Sequence, residues 1–206
     1  MSGTDRKPRS TKVPRETGSP ARRRPGRRRK SRATAAGLVQ LFFGDGTALA
    51  PGSTITQDTT GVSGEAEAGD RFGEALAFAP AGPGNSRLKL AVAAPYEDGS
   101  FVNSGRVWVF PIGALASDTA YGQATAGVPG DPEDQDRFGS ELAAVVGADE
   151  TPLLVGVGDD VGNPTGMVEV IPLNGATVRS WVPGVGGVPA GGSLRFGGTL
   201  ASSSDS

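Results

Sequence analysis

The chain has 206 residues, with 33 glycines and 16 prolines against two Met, two Trp and two Tyr, a makeup that suits short strands and frequent reversals better than helices. Cysteine and histidine are both absent, which excludes disulfides, thiolate or imidazole metal ligands, cysteine nucleophiles and any Ser-His-Asp arrangement. The net charge of -2 conceals two bodies: residues 1–35 carry 13 Lys or Arg against Asp5 and Glu16, a balance of +11, and the remainder carries 7 against 20 acidic residues, a balance of -13.

Residues 1–35 hold almost no large apolar side chain apart from Val13 and bury too little to offset chain entropy, so they are expected to be disordered. Within them "RRRPGRRRK" places seven positive charges in nine residues, which could serve as a polybasic arm but, with no aromatic residue or foldable unit beside it, is read first as an unstructured extension or a wrongly assigned start. The stretch "ATAAGLVQLFFG" fits an export signal poorly, because Gln40 interrupts it and Gly44-Asp45-Gly46 ends it. No run of 18 or more apolar residues exists, so no spanning helix is expected.

From residue 36 the pattern becomes strand-like and repeats. "GLVQLFF" from Gly37, "GRVWVFP" from Gly105 and "GMVEVIP" from Gly166 each set a glycine before period-two apolar alternation. Downstream of each comes one heptad frame, "RFGEALA" from Arg71, "RFGSELA" from Arg137 and "RFGGTLA" from Arg195. Its phenylalanine follows the glycine by 35, 33 and 30 residues, and successive phenylalanines are 66 and 58 apart. A period near 60 with several short strands is the sign of a repeat architecture.

In chain order the strand candidates are Gly37–Phe43 and Thr54–Asp58, then Phe72–Phe78, Leu88–Ala93, Arg106–Pro111 and Tyr121–Ala126. A second set of four follows at Phe138–Val146, Pro152–Val157, Val168–Pro172 and Val178–Val182, and the third heptad opens another unit. Four strands per unit make one blade of a β-propeller. Taken as a strand from Phe72, the heptad puts Phe72, Leu76 and Phe78 on one face and Gly73, Ala75, Ala77 and Ala79 on the other. Phenylalanine then acts as a wedge between sheets and the small face as clearance.

The run "DRFGEALAFAP", "LKLAVAAPYEDG", "SGRVWVF" resembles the FG-GAP repeat of integrin α-subunit propellers and related bacterial proteins. Phe72-Gly73 matches the FG element, and Ala93-Ala94-Pro95 stands where the family has Gly-Ala-Pro. Phe138-Gly139 matches again, Gly156 keeps the glycine of the second element, and Phe196-Gly197 is the third FG pair. The resemblance implies an all-β propeller of four-stranded antiparallel sheets. It covers a half blade at 36–60, blades at 70–127 and 136–183, and the start of another at 194–201, with a tail at 202–206. A seven-bladed ring would need on the order of 400 residues, so a propeller fragment is expected, truncated or belonging to an assembly with blades on another chain.

The family's calcium loop between the first two strands is expected to be non-binding here, so no cofactor is expected. The ligand places fall on Ala81, Pro83, Asn85 and Lys89 in one unit and on Ala144, Val146, Ala148 and Pro152 in the other. Asp131, Glu133, Asp134, Asp136 and Asp159-Asp160 read as solvated loop, Arg71, Arg137 and Arg195 as structural residues paired with Asp70 and Asp136, and "GVGGVPAGG" as an inter-blade loop. No catalytic residue is assigned. The resemblance implies noncatalytic recognition of a protein or carbohydrate ligand, in adhesion at the cell surface or outside the cell. An accessory propeller of a secreted hydrolase such as a phospholipase is the alternative, and a nucleic-acid-associated protein using the basic arm, whose partner is not otherwise expected, is a third.

Overall fold

Among the described residues, ten strands form one two-stranded and two four-stranded antiparallel sheets. The computed structural model describes residues 34–80, 87–146, 151–159, 165–190 and 195–201. All lie in the unit Arg32–Ser206. Neither the basic segment through residue 33 nor the tail at 202–206 is among them.

The first sheet pairs β1 (Val39–Gly44) with β2 (Leu49–Ile55) around a turn that Asp45 closes. Its carboxylate accepts from the Thr47 and Ala48 N–H groups and the Thr47 hydroxyl, which hold its pKa down to about 2. The second sheet runs in plain sequence order: β3 (Leu76–Pro80), β4 (Leu88–Ala94), β5 (Arg106–Pro111), β6 (Thr119–Tyr121). The third repeats it with β7 (Leu142–Ala144), β8 (Pro152–Val157), β9 (Met167–Pro172) and β10 (Arg179–Trp181). Register repeats too: Leu76 opposes Val92 as Leu142 opposes Val155, and Ala93 opposes Val107 as Gly156 opposes Val168.

The central strands β4 and β5 of the second sheet are covered on both faces, and their side chains alternate accordingly. Leu90, Val92, Trp108 and Phe110 share a core with Val39, Leu41 and Ile55 of the first sheet. Ala79, Ala91, Ala93, Val107 and Val109 share another with Phe138, Leu142, Leu153, Val155 and Met167 of the third. A large-residue face and a small-residue face of one sheet thus meet different neighbours. Beyond the third sheet, Phe196 and Leu200 pack on Leu154, Val168 and Val170.

Several expected boundaries move. Arg-Phe-Gly is a turn before the strand, not its start: Arg71 and Arg137 have φ of 56° and 55°, Gly73 and Gly139 of 94° and 90°. Phe72 therefore leaves the face of Leu76 and Phe78; it is buried while they are exposed. Phe72 and Phe138 are buried in the cores between sheets, placed there by a left-handed turn rather than by strand alternation. The first unit's fourth strand is displaced: Thr119–Tyr121 pairs with Val107–Val109 where Tyr121–Ala126 is expected, because Gly122 and Thr125 already form a turn, whereas the second unit's, Arg179–Trp181, lies within the expected Val178–Val182. The third heptad forms a turn without a strand. Thr34 and Ala35, assigned to the basic segment, are folded, accepting from the N–H groups of Gly69 and Arg71.

One joint recurs between successive units. The N–H of Phe72 donates to Ala36 (2.7 Å), that of Phe138 to Ser104 (2.9 Å) and that of Phe196 to Thr165 (2.8 Å). The glycine that follows each acceptor lies against the phenylalanine backbone so closely that a methyl on Gly37, Gly105 or Gly166 would overlap it. Gly139 is seated likewise, with no room for a methyl beside Val107 and Ala93. Gly105→Ala should therefore destabilise the protein by about 2 kcal/mol or more. Gly113→Ala, at a similar φ of 100° but with open space around it, should cost about 1 kcal/mol. Urea unfolding of the two variants checks the difference.

Candidate functional site

The FG-GAP-like positions gather at the joints. Phe72, Gly73, Phe138, Gly139, Phe196 and Gly197 form the turns just described. The N–H of Gly73 donates to the Ala93 carbonyl (2.8 Å), and that of Gly139 to the carbonyl of Gly156 (3.0 Å). Ala94 ends β4 fully buried with Pro95 behind it, and the Ala94 carbonyl accepts from the Glu97 N–H. Each of these residues supports the backbone, and none presents a reactive group.

Four of the eight expected calcium-loop places can be followed by neighbour. Ala81, Pro83, Asn85 and Ala148 lie outside the described residues, as does Asp160. Lys89 donates its ammonium to the Leu173 carbonyl (2.8 Å), tying the second sheet to the third. Ala144 and Pro152 are buried in β7 and β8, and Val146 is exposed beyond β7. Among the described residues no group of three or more Asp or Glu could hold a metal ion.

The heptad arginines do not pair with the adjacent aspartates. Asp70 and Asp136 are buried and accept from the N–H groups of Glu67 and Glu133, both at 2.6 Å, closing the turn that precedes each heptad. The arginines instead build a row across the repeats. Arg71 and Arg137 lie over the Tyr96 ring with guanidinium carbons 4.2 and 5.0 Å from its centroid. Asp159, at the place of Tyr96 in the next repeat, accepts from Arg137 at 2.8 Å and Arg195 at 2.5 Å. Sequence reasoning missed Tyr96 and Asp159 as partners, although their equal offset of three from Ala93 and Gly156 carries the signal.

Behind this row lies a buried polar cluster at the first joint. Gln57, just after β2, donates its amide to Glu97 at 2.5 Å, and Arg106 stands 3.8 Å from the same carboxylate. The Gln57 amide oxygen is buried with no hydrogen bond in the structure. Burial, followed by the nearby Asp70 charge, pushes the Glu97 carboxyl up to about 7; Arg106 and the Gln57 bond offset part of this. Burial also raises Asp70. The arrangement is a proton-titrating joint between two sheets.

The same end of the sheets carries a tied pair of loops. Val102 N–H donates to Asp134 (2.8 Å), Gln135 N–H returns a bond to the Val102 carbonyl (2.8 Å), and the Asn103 amide donates to Gln135 (3.1 Å). Asp98 accepts from the Asn103 N–H (2.8 Å). Asp134 and Asp136 thus act as loop anchors where solvated carboxylates are expected. The tie holds Phe101 and Val102 outward, two exposed apolar side chains in a loop whose N–H groups bond Asp98 and Asp134. Comparison of the chain with models of known protein families and with curated proteins finds no match.

Because the folded carboxyl of Glu97 titrates near 7 instead of 4.5, the native state holds its proton where the unfolded state releases it. Its contribution is most favourable below about pH 4.5 and declines as pH rises to about 7. Glu97→Gln, which mimics the protonated form, should remove that decline. Between pH 4.5 and 8 the wild type should lose on the order of 1–3 kcal/mol relative to the variant, measured by urea unfolding at several pH values.

Proposed function

We propose that the chain is a noncatalytic segment of an FG-GAP-type β-propeller that recognises a protein or carbohydrate ligand through the loop end of its sheets, at the cell surface or outside the cell. The observation that carries this reading is the thrice-repeated glycine–phenylalanine joint: a motif spent on the backbone of each repeat leaves recognition to the loops between them. The absence of histidine and cysteine from the chain supports the noncatalytic assignment.

The loop end supplies what a recognition surface uses. Phe101 and Val102 form an apolar centre, Asp98 and Asp134 border it through their bonds to the Asn103 and Val102 N–H groups, and Tyr96 of the same loop lies against two arginines. The hydrogen bonds between the loops pre-organise this patch, which lowers the entropy lost on binding. Charge on the rim favours a ligand with a basic border around an apolar or sugar-ring centre.

Probing the full chain against immobilised glycans and purified cell-surface and matrix proteins tests the reading. Binding is expected to fall at least about tenfold in the double variant Phe101→Ser, Val102→Ser, and to be unchanged in Ser117→Ala on the opposite, β5–β6 loop. No binding to any probe, or equal binding by the double variant, would overturn it.

A further inference from the structure

We propose that copies of this chain join head to tail, the third heptad and the outer face of the third sheet of one copy packing on the exposed Phe42, Leu76 and Phe78 of the next. The inference rests on the repeat-unit reading of the fold and not on the recognition function.

Equivalent positions in successive repeats differ sharply in burial. Leu142 and Ala144 on β7 are 8% and 6% exposed, whereas Leu76 and Phe78, at the same places on β3, are 48% and 56% exposed. The cause is the sheet in front of each. β7 faces β3 of a complete four-stranded sheet, with Ala77 and Ala79 against it; β3 faces a sheet in which the described residues form only β1 and β2. Phe110 on β5 is 0% exposed beneath Val39 and Leu41, while its counterpart Phe42 on β1 is 58% exposed. Leu76, Phe78 and Phe42 mark one uncovered leading face, and the edge of β1 away from β2 is unpaired among the described residues.

The opposite end carries the complement. The third heptad is docked through the Phe196–Thr165 hydrogen bond, with Leu200 and Ala201 at the places of Leu76 and Ala77. Beside it a cleft of about 630 Å³ opens over Leu154, Val168 and Trp181. Within the protein, Val39 and Leu41 of β1 cover Phe110. Val168 and Val170 of β9 occupy the places of Val39 and Leu41 but are covered by Phe196 and Leu200 of the third heptad, so Phe42 of a second copy would meet those two side chains and the exposed Trp181. One contact thus covers both ends, and it has the same chemistry as the joints already inside the chain. Because the two faces differ, the contact is heterologous and each copy offers one of each.

Sedimentation of the full chain across a range of concentrations is expected to show species heavier than one chain. Phe78→Asp on the leading face and Trp181→Asp on the trailing face should each give monomers that still unfold cooperatively. Mixed, they should form a dimer and nothing larger, since only one good pair of faces remains. Leu76→Lys replaces Phe78→Asp if that variant loses cooperative unfolding. A wild type monomeric throughout, assembly by either variant alone, or a monomeric mixture would overturn the proposal. Ligand binding by a monomeric wild type would leave the recognition reading standing while this one fails.

Discussion

Everything in the described unit hangs on a backbone contact between a glycine and a phenylalanine. At Gly37–Phe72, Gly105–Phe138 and Gly166–Phe196 the two chains approach too closely for any side chain on the glycine. The phenylalanine N–H is spent on the residue before that glycine. The constraint places the start of each heptad against the strand that follows the glycine, β1, β5 or β9, and in the first two heptads the positive φ at the following glycine then turns the chain into its own sheet. Spacing, stacking order and the division of side chains between two faces all follow from that placement.

The side-chain layers around the joint serve unequal ends. The apolar layers do most of the holding: Trp108, edge-on to Phe72 at 5.2 Å, seals the first interface and donates its indole N–H to the Ser63 carbonyl (2.8 Å). The arginine row is partly exposed and fixes register more than it adds stability, since solvent screens such pairs. The Gln57–Glu97 cluster is the costly layer, a buried carboxyl with an incompletely satisfied amide beside it. A joint built this way is firm in its backbone and adjustable in its charge.

The two ends of the stack show the same rule from the other side. Where a complete sheet precedes, as before β7, the residues of the heptad strand are buried; where only β1 and β2 precede, Leu76 and Phe78 remain open. Burial at a repeat position is therefore a property of the neighbour, not of the residue. A leucine has the same transfer free energy at both places, and only the sheet opposite decides whether it is realised.

The all-β class, the two four-stranded units and the glycine–phenylalanine frame were legible from residues alone, because period-two alternation and a fixed motif spacing are local signals. Composition likewise decided what chemistry the chain lacks. The turn at Arg71-Phe72-Gly73 was not legible: alternation continues through those residues, and only the left-handed φ values at Arg71 and Gly73 break it. Nor were the partners of Arg137 and Asp70, since both depend on which loop lies across a joint tens of residues away. Sequence periodicity reports how a strand divides its two faces, whereas the identity of what covers each face is a long-range contact that only tertiary packing supplies.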